Sequence, residues 1–311
     1  MTKSVLILGA NGQFGRNAVA AFSWANWNVT RFDHDRGSLC DAAWGVDAIV
    51  NACTPEHPDW AQQMPTLTDQ LIETAKDTGA TVLIPGSLYN YGTDLPVEVR
   101  ESTPRRPTGP LGHFRETTER AYRDAGVKTI ILRAGDFIDA APSKTWYHKV
   151  ITAKLHKGVV DYPGQLDAPH AWAFLQDLAD VAVMLCDKAS ELPEFFEMNF
   201  PGYTITAREL SHALEQASGQ NYALRQMPWW PLTLARAFWP TAKSRRETQY
   251  LWDRPHRIAS DHLSEILPDF VPTPLHDAIA ASLPSHVNPN GKMPRSPFGK
   301  RRLFDPCCTH S

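Results

Sequence analysis

Three glycines spaced by three, Gly9, Gly12 and Gly15, follow the apolar run Val5 to Leu8. Behind them Phe14, Ala18, Val19, Ala21, Phe22 and Ala25 recur at helical spacing on one face. A buried strand, a glycine turn and a helix together make a phosphate cradle. Glycine permits the tight turn and lets backbone approach a pyrophosphate, and the helix N-terminus supplies N–H groups and positive potential. The next apolar run, Trp27 to Phe32, reads as a second strand and ends in Asp33, 24 residues after Gly9. A carboxylate near that distance meets the adenosine ribose hydroxyls of a dinucleotide. The spacing therefore predicts a dinucleotide site over Gly9, Asn11, Gly12, Gln13, Phe14, Gly15 and Asp33. Arg31 and Arg36 flank Asp33 and would suit a 2′-phosphate, but the carboxylate opposes one, so NAD is favoured over NADP.

A second set of polar residues lies on the Pro-, Gly- and Thr-rich loop from Gly86 to Pro110. Ser87 can hold a substrate oxygen, or it can cap local backbone as loop serines often do. Tyr89 and Tyr91 carry phenols on the same loop, with packing the competing role for Tyr91. His113 reads as a solvated helix residue. Tyr147 and His148 sit in the linker toward the second half, where they could enter a cleft. The five cysteines show no C-x-x-C pair and no metal spacing, so no metal is expected and reduced thiols are the default.

These residues need elements to position them. Val46 to Ala52, Thr81 to Pro85 and Val127 to Leu132 read as further strands, and 59–79 and 111–125 as helices stopped by Gly79 and Gly126. Such Val/Ile/Leu-rich strands without alternation are buried on both faces, which means a parallel sheet covered by helices. Past Arg133 a helix is predicted over Trp146 to Leu155, another over Leu175 to Cys186, and a strand over Phe195 to Phe200. A capped helix follows, with Thr206 and Glu209 as a capping box and Gly219 as its stop. Residues 228–284 read as helical fragments cut by prolines, and the many Trp of that half as core and turn residues. The reading is α/β: a Rossmann-type doubly wound parallel sheet with a smaller, mostly helical C-terminal substrate domain. Residues 1–140 and 170–202 would form the dinucleotide-binding domain, 141–169 and 203–284 the substrate domain, and 285–311 a basic, proline-rich tail without its own core.

The 311 residues allow one or two domains with a sizeable core. A formal net charge of -3 gives no electrostatic case for nucleic acid or an anionic membrane. No stretch reaches the roughly eighteen apolar residues of a membrane span, and Val5 to Leu8 is too short for a signal-peptide core. A cytoplasmic protein with a small-molecule substrate and no membrane or nucleic-acid partner is expected.

Over roughly residues 3–284 the chain resembles the extended short-chain dehydrogenase/reductases, the group that includes sugar-nucleotide epimerases and dehydratases. Gly9-Ala-Asn-Gly-Gln-Phe-Gly15 is similar to that family's G-x-x-G-x-x-G, and Asp33 falls at its ribose-binding acid. Asp47 to Thr54 resembles the segment along the cofactor, which puts Ala52 and Cys53 beside it; Arg133 to Phe137 resembles the loop passing the nicotinamide, which puts Ala134 there. Ser87-Leu-Tyr-Asn-Tyr91-Gly92 resembles S-x-x-x-Y-G, with Ser87 on the catalytic serine position, and His170 to Asp177 resembles the lead-in to a late helix.

The departure is at the chemistry. The family's P-x-x-P-Y-G-x-S-K supplies a Tyr base and a Lys. Here Pro107-Thr-Gly-Pro110 is followed by Leu111 and, four residues on, Arg115. Leu111 cannot move a proton, and Arg115 can bond ribose hydroxyls but stays protonated. Ser38 likewise stands where many relatives carry Asp against the adenine. The resemblance implies an NAD(P)-dependent oxidoreductase or epimerase acting on a hydroxyl or carbonyl of a sugar-nucleotide-like or other small substrate. Its catalytic candidates are Ser87, Tyr91 and Arg115, with Arg115 also on the cofactor. The loss of Tyr and Lys together fits the alternative, a non-catalytic dinucleotide-binding sensor or scaffold. Relatives often dimerise through the helices that are 59–79 and 110–126 here, so a homodimer is a further expectation.

Overall fold

The Val-, Ile- and Leu-rich runs become parallel strands covered on both faces. A computed structural model of the chain describes residues 2–33, 35, 37–53, 60–230, 247–284 and 287. Arg36, Pro231, Phe238 to Pro240 and the tail residues Phe298, Leu303 and Phe304 lie outside the described residues. In chain order the first half holds β1 (Ser4–Leu8), α1 (Gln13–Trp24), β2 (Asn28–Arg31), α2 (Leu39–Ala42), β3 (Ala48–Asn51), α3 (Trp60–Thr78) and β4 (Thr81–Gly86). A 3₁₀ stretch, Leu88–Asp94, leads to β5 (Glu98–Val99), α4 (Pro110–Asp124), β6 (Thr129–Arg133) and β7 (Asp136–Ile138). The second half adds β8 (Val159–Tyr162), β9 (His170–Phe174), α5 (Leu175–Asp187), β10 (Phe195–Asn199), β11 (Tyr203–Ile205), α6 (Ala207–Ser218) and β12 (Ala223–Gln226). It closes with α7 (Gln249–Asp253), β13 (Arg257–Ile258), α8 (Leu263–Ile266) and α9 (Leu275–Ser282).

Among the described residues the main sheet has the order β10-β6-β4-β3-β1-β2, and every neighbouring pair is parallel. Alternate residues of a strand face opposite ways. Val5 and Ile7 accordingly join the core under α1 and α5, with Phe22 and Leu178, while Leu6 and Leu8 join the core under α3 and α4, with Leu71 and Tyr122. From β1 the chain spreads to β2 on one side and to β3, β4, β6 and β10 on the other. A crevice therefore opens at the carboxyl ends beside β1, the place where such a sheet takes a ligand.

A separate apolar cluster gathers Tyr147, Tyr162, Trp172, Trp252 and Ile279. Trp146 packs on Trp252 and Trp229 at 5.5 and 5.8 Å between ring centroids, and Trp229 Nε1 donates to the Pro163 carbonyl at 2.6 Å. These tryptophans are core, as expected of the second half, whereas Trp230 is exposed. Val287 packs against this cluster, so the body extends past residue 284. The capping box of α6 is present: Thr206 accepts from the Glu209 N–H, Glu209 accepts from the Thr206 N–H, and Gly219 is left-handed.

One expectation changes. The helix read over 146–155 is only a π-type turn, Tyr147–Ile151, because the Thr152 N–H reaches the Tyr147 carbonyl five residues back. The lead-in from His170 is a strand, β9, held between β7 and β11.

Burial has a pH consequence in this region. It pushes the His256 imidazole down to about 3, with His170 adding, and His148 down to about 4. Both stay neutral in the folded chain, whereas unfolded imidazoles protonate near about pH 6.5. The unfolded state thus binds more protons below that pH, and stability falls as pH drops from about 6.5 toward these folded values. Urea midpoints are expected to decrease between about pH 7 and about pH 5, and His256→Phe should flatten the slope.

Candidate active site

Gly9 leaves β1 with φ +67°, and a Cβ there would lie 2.7 Å from the Ala52 carbonyl carbon and oxygen. The turn is thus pressed against the chain leaving β3. A Cβ on Gly15 would lie 2.1 Å from the Gly9 carbonyl oxygen, so the first turn of α1 also sits on the turn. Gly12 is the N-cap of this 12-residue helix, with no side-chain cap and no acidic residue in the first turn. Helix N–H groups in a first turn lack acceptors within the helix. Here they face the crevice side of the turn together with exposed Asn11 and Gly12, a cradle suited to an anion. The Phe14 side chain is buried in the core, so it would serve the cradle through backbone.

The Phe32 N–H bonds the Ile7 carbonyl at 2.9 Å, which carries exposed Asp33 alongside the glycine turn. Asp33 Oδ1 accepts from the Asp35 N–H at 3.1 Å. Ser38 is used locally, capping α2 by accepting from the Asp41 N–H. Cys53 follows β3 with its thiol pushed up by burial, and its N–H donates to Asn51 Oδ1 at 3.3 Å. These residues fit a dinucleotide laid across β1 between Asp33 past β2 at one end and the ends of β4 and β6 at the other.

At that second end stands Ser87, immediately after β4. Its Oγ is buried and makes no hydrogen bond among the described residues, so it does not cap the 3₁₀ stretch. Its carbonyl accepts from Arg133 at 2.6 Å. Arg133 is 1% exposed and also bonds Glu119 and Glu197, each at 2.7 Å. Burial alone would lower this guanidinium, but Glu119, Tyr91 and Glu197 together outweigh that and raise it. Strand pairing sets Gly86 against Arg133, and the Ala134 N–H donates to the Gly86 carbonyl at 3.3 Å. Ser87 and buried Ala134 therefore leave adjacent strands side by side.

Tyr91, one of the catalytic candidates, is buried with Leu88, Leu95, Val99 and Leu251, 5.6 Å beneath the Arg133 guanidinium. The geometry gives it a packing role instead. Tyr147 is fully buried and bonds Ser282 Oγ at 2.6 Å, and His148 bonds Ser143 and Thr145, so neither presents a free group to the crevice. His113 is exposed, and Leu111 is half-buried at the start of α4. A Cβ on Gly112 would lie 2.3 Å from the Tyr89 carbonyl oxygen, which shows how closely α4 begins against the serine loop. Burial pulls the Arg115 guanidinium down, with Tyr89 and Glu119 opposing.

The sequence reading passed over one group here. Asp136, two residues past Ala134, accepts from or pairs with His170 Nε2 at 2.8 Å. The Tyr89 phenol is raised by burial first, then by nearby Asp136, with Arg115 opposing. Tyr89 thus lies near both Asp136 and Arg115, and Asp136 is bonded to His170. The signal was available: Asp136 lies inside the segment Arg133 to Phe137 already matched to the nicotinamide loop.

The sheet, glycine cradle and crevice define a Rossmann-type dinucleotide-binding protein. The NAD dependent epimerase/dehydratase family matches residues 5–199, and the chain belongs to it, with NAD as the cofactor of the family. No curated protein matches the chain. Among solved structures, MoeE5 in complex with UDP-glucose and NAD is 16% identical, with 90% of this chain and 97% of that one covered at a TM-score of 0.67. UDP-glucose 4-epimerase from Brucella ovis in complex with NAD is 16% identical over 92% and 99%, TM-score 0.68. The dTDP-4-dehydrorhamnose reductase from Yersinia enterocolitica is 18% identical over 90% and 98%, TM-score 0.66. At these identities the likeness is one of fold. Among the described residues no helix is long and apolar enough to cross a membrane.

Proposed function

We propose that the chain is an NAD-dependent enzyme that oxidises or reduces a hydroxyl or carbonyl on a small, sugar-nucleotide-like substrate in the crevice over β1, β4 and β6. The observation that carries this reading is Ser87: a buried hydroxyl without a partner among the described residues, at the carboxyl end of a central strand. Its role is to hold the reacting oxygen of the substrate. Bound NAD supplies acceptance and return of a hydride. Gly9, Asn11, Gly12, Gln13 and Gly15 hold the pyrophosphate, Asp33 the adenosine ribose, Ala52, Cys53 and Ala134 flank the cofactor, and Arg115 bonds the nicotinamide ribose. Residues 141–169 and 203–284 shape the substrate side. The substrate class is supported by the UDP-glucose bound to MoeE5.

Leu111 favours a second reading, a binding protein without turnover. Mass spectrometry of nucleotide released on denaturation, followed by a chromatographic assay of UDP-glucose conversion, separates the two.

The cradle is tested by two glycines. A Cβ on Gly12, whose φ of -72° is ordinary, would lie 3.0 Å from the Gly9 carbonyl, so Gly12→Ala needs only a small shift. Gly12→Ala should keep its melting temperature yet lose NAD affinity by about ten-fold or more, because it blocks backbone approach to the pyrophosphate. Gly15→Ala meets backbone at 2.1 Å and should lose about 1–3 kcal/mol of stability as well. Unchanged NAD affinity by calorimetry in Gly12→Ala would remove the cradle assignment.

A further inference from the structure

Resting on the enzyme reading, the missing proton acceptor has to be sought among the groups at the crevice. Leu111 carries none. Tyr91 and Tyr147 are packed inside, and Tyr147 is bonded to Ser282. His148 is engaged by Ser143 and Thr145. Tyr89 is held as a neutral phenol by burial and by Asp136, which leaves it a hydrogen-bond donor and no base. Asp136 is different. It opens β7, two residues past Ala134, whose N–H bonds the Gly86 carbonyl next to Ser87. It lies near Tyr89 of the serine loop, and its side chain is 25% exposed.

The carboxylate is also built into place. His170 Nε2 holds Oδ2 at 2.8 Å. The imidazole is 3% exposed, lies flat on Trp252 at 4.2 Å and 9°, and meets His256 edge-on at 4.5 Å. Gly135 lets the approach happen: a Cβ there would lie 2.2 Å from the Ala171 carbonyl oxygen, so β7 and β9 run in close contact at this point. An imidazole locked this way positions one carboxylate oxygen while the group stays partly exposed.

We propose that Asp136 is the proton acceptor of this site, with His170 as its positioning residue, standing in for the phenol absent at Leu111. As a substrate carbinol gives up its hydride to the nicotinamide dinucleotide, its O–H bond breaks and the proton passes to an Asp136 oxygen, leaving a carbonyl. In the reverse direction the same proton returns. Ser87 holds the oxygen between them, and the neutral Tyr89 donates to it. The carboxylate has a second effect that needs no substrate: it favours the positively charged oxidised nicotinamide over the neutral reduced ring.

The test compares NAD+ and NADH affinity by calorimetry in the full chain and in Asp136→Asn, with UDP-glucose conversion followed in parallel. Asp136→Asn should lose NAD+ affinity on the order of ten-fold relative to NADH, and turnover about a hundred-fold or more. His170→Phe should weaken the NAD+ preference, and His170→Gln should keep it, because its amide can donate to the same carboxylate oxygen. An unchanged NAD+/NADH ratio in Asp136→Asn would overturn the placement of the carboxylate. A changed ratio with full turnover would overturn its role as proton acceptor. A native chain that binds neither nucleotide sinks the enzyme reading itself, whereas one that shows the ratio effect but ignores UDP-glucose faults the substrate class alone.

Discussion

Arg133→Met is expected to destabilise the chain by roughly 3–5 kcal/mol, the range for removing one partner of a buried ion pair. Arg133 is 1% exposed and sits between Glu119 of α4 and Glu197 of β10, with its third contact on the Ser87 carbonyl. Its removal leaves the almost wholly buried Glu119 with Arg105 Nε at 3.7 Å in place of a hydrogen-bonded guanidinium, while Arg105 also pairs with Glu197. Arg133→Lys should not rescue it, since an ammonium cannot span two carboxylates and a carbonyl as the planar guanidinium does. Arg133→Met with Glu119→Leu should recover part of the loss by removing both charges together. Chemical denaturation of the three variants checks this. A loss under about 1 kcal/mol in Arg133→Met would show that the network relaxes around the gap. The acid side follows from the same contacts. Burial raises Glu197, but Arg133 and Arg105 outweigh it and hold its carboxyl below the usual range. That stability is present above the unfolded carboxylate value and lost as pH falls through the folded one.

The half of the fold that local pattern specifies was readable in advance. β1, β3, β4 and β6 are buried on both faces, so their apolar runs announce themselves without reference to distant residues. Caps and stops are local as well, which is why Thr206, Glu209 and Gly219 frame α6 as read. Apart from β10, the short strands of the second half were not legible. β8 finds its partner β12 more than sixty residues on, and β13 pairs with β5 of the first half. Two-residue and four-residue strands carry no period of their own; pairing defines them. The cradle was readable because its chemistry is contiguous, from Gly9 to Gly15. The other end of the crevice is assembled from Ser87, Tyr89, Arg115, Asp136 and His170, which come from four separate segments. The resemblance pointed to Ser87 and Arg115 by position. Only the folded chain brings Asp136 near Tyr89 of the serine loop and bonds it to His170 of β9.

Restoring a phenol and an amine with Leu111→Tyr and Arg115→Lys should make Asp136 dispensable. Position 111 is half-buried in the first turn of α4, and that turn lies against the Tyr89 backbone, so a tyrosine there starts next to the serine loop. A lysine at 115 has one charge to offer where Arg115 now has a fork, and it lowers a neighbouring phenol as the family's pair requires. In the Asp136→Asn background the two substitutions are expected to raise UDP-glucose conversion by about a hundred- to ten-thousand-fold, the usual contribution of a positioned acid–base group. In the native background the gain should be smaller, because Asp136 already accepts the proton. The two gains differ only if the new phenol and Asp136 do the same job, so the difference between backgrounds is the decisive quantity. Equal gains in both would mean that Asp136 takes no part in proton transfer. No gain in either, with NAD still bound by calorimetry, would mean that α4 no longer presents its first turn to the reacting oxygen.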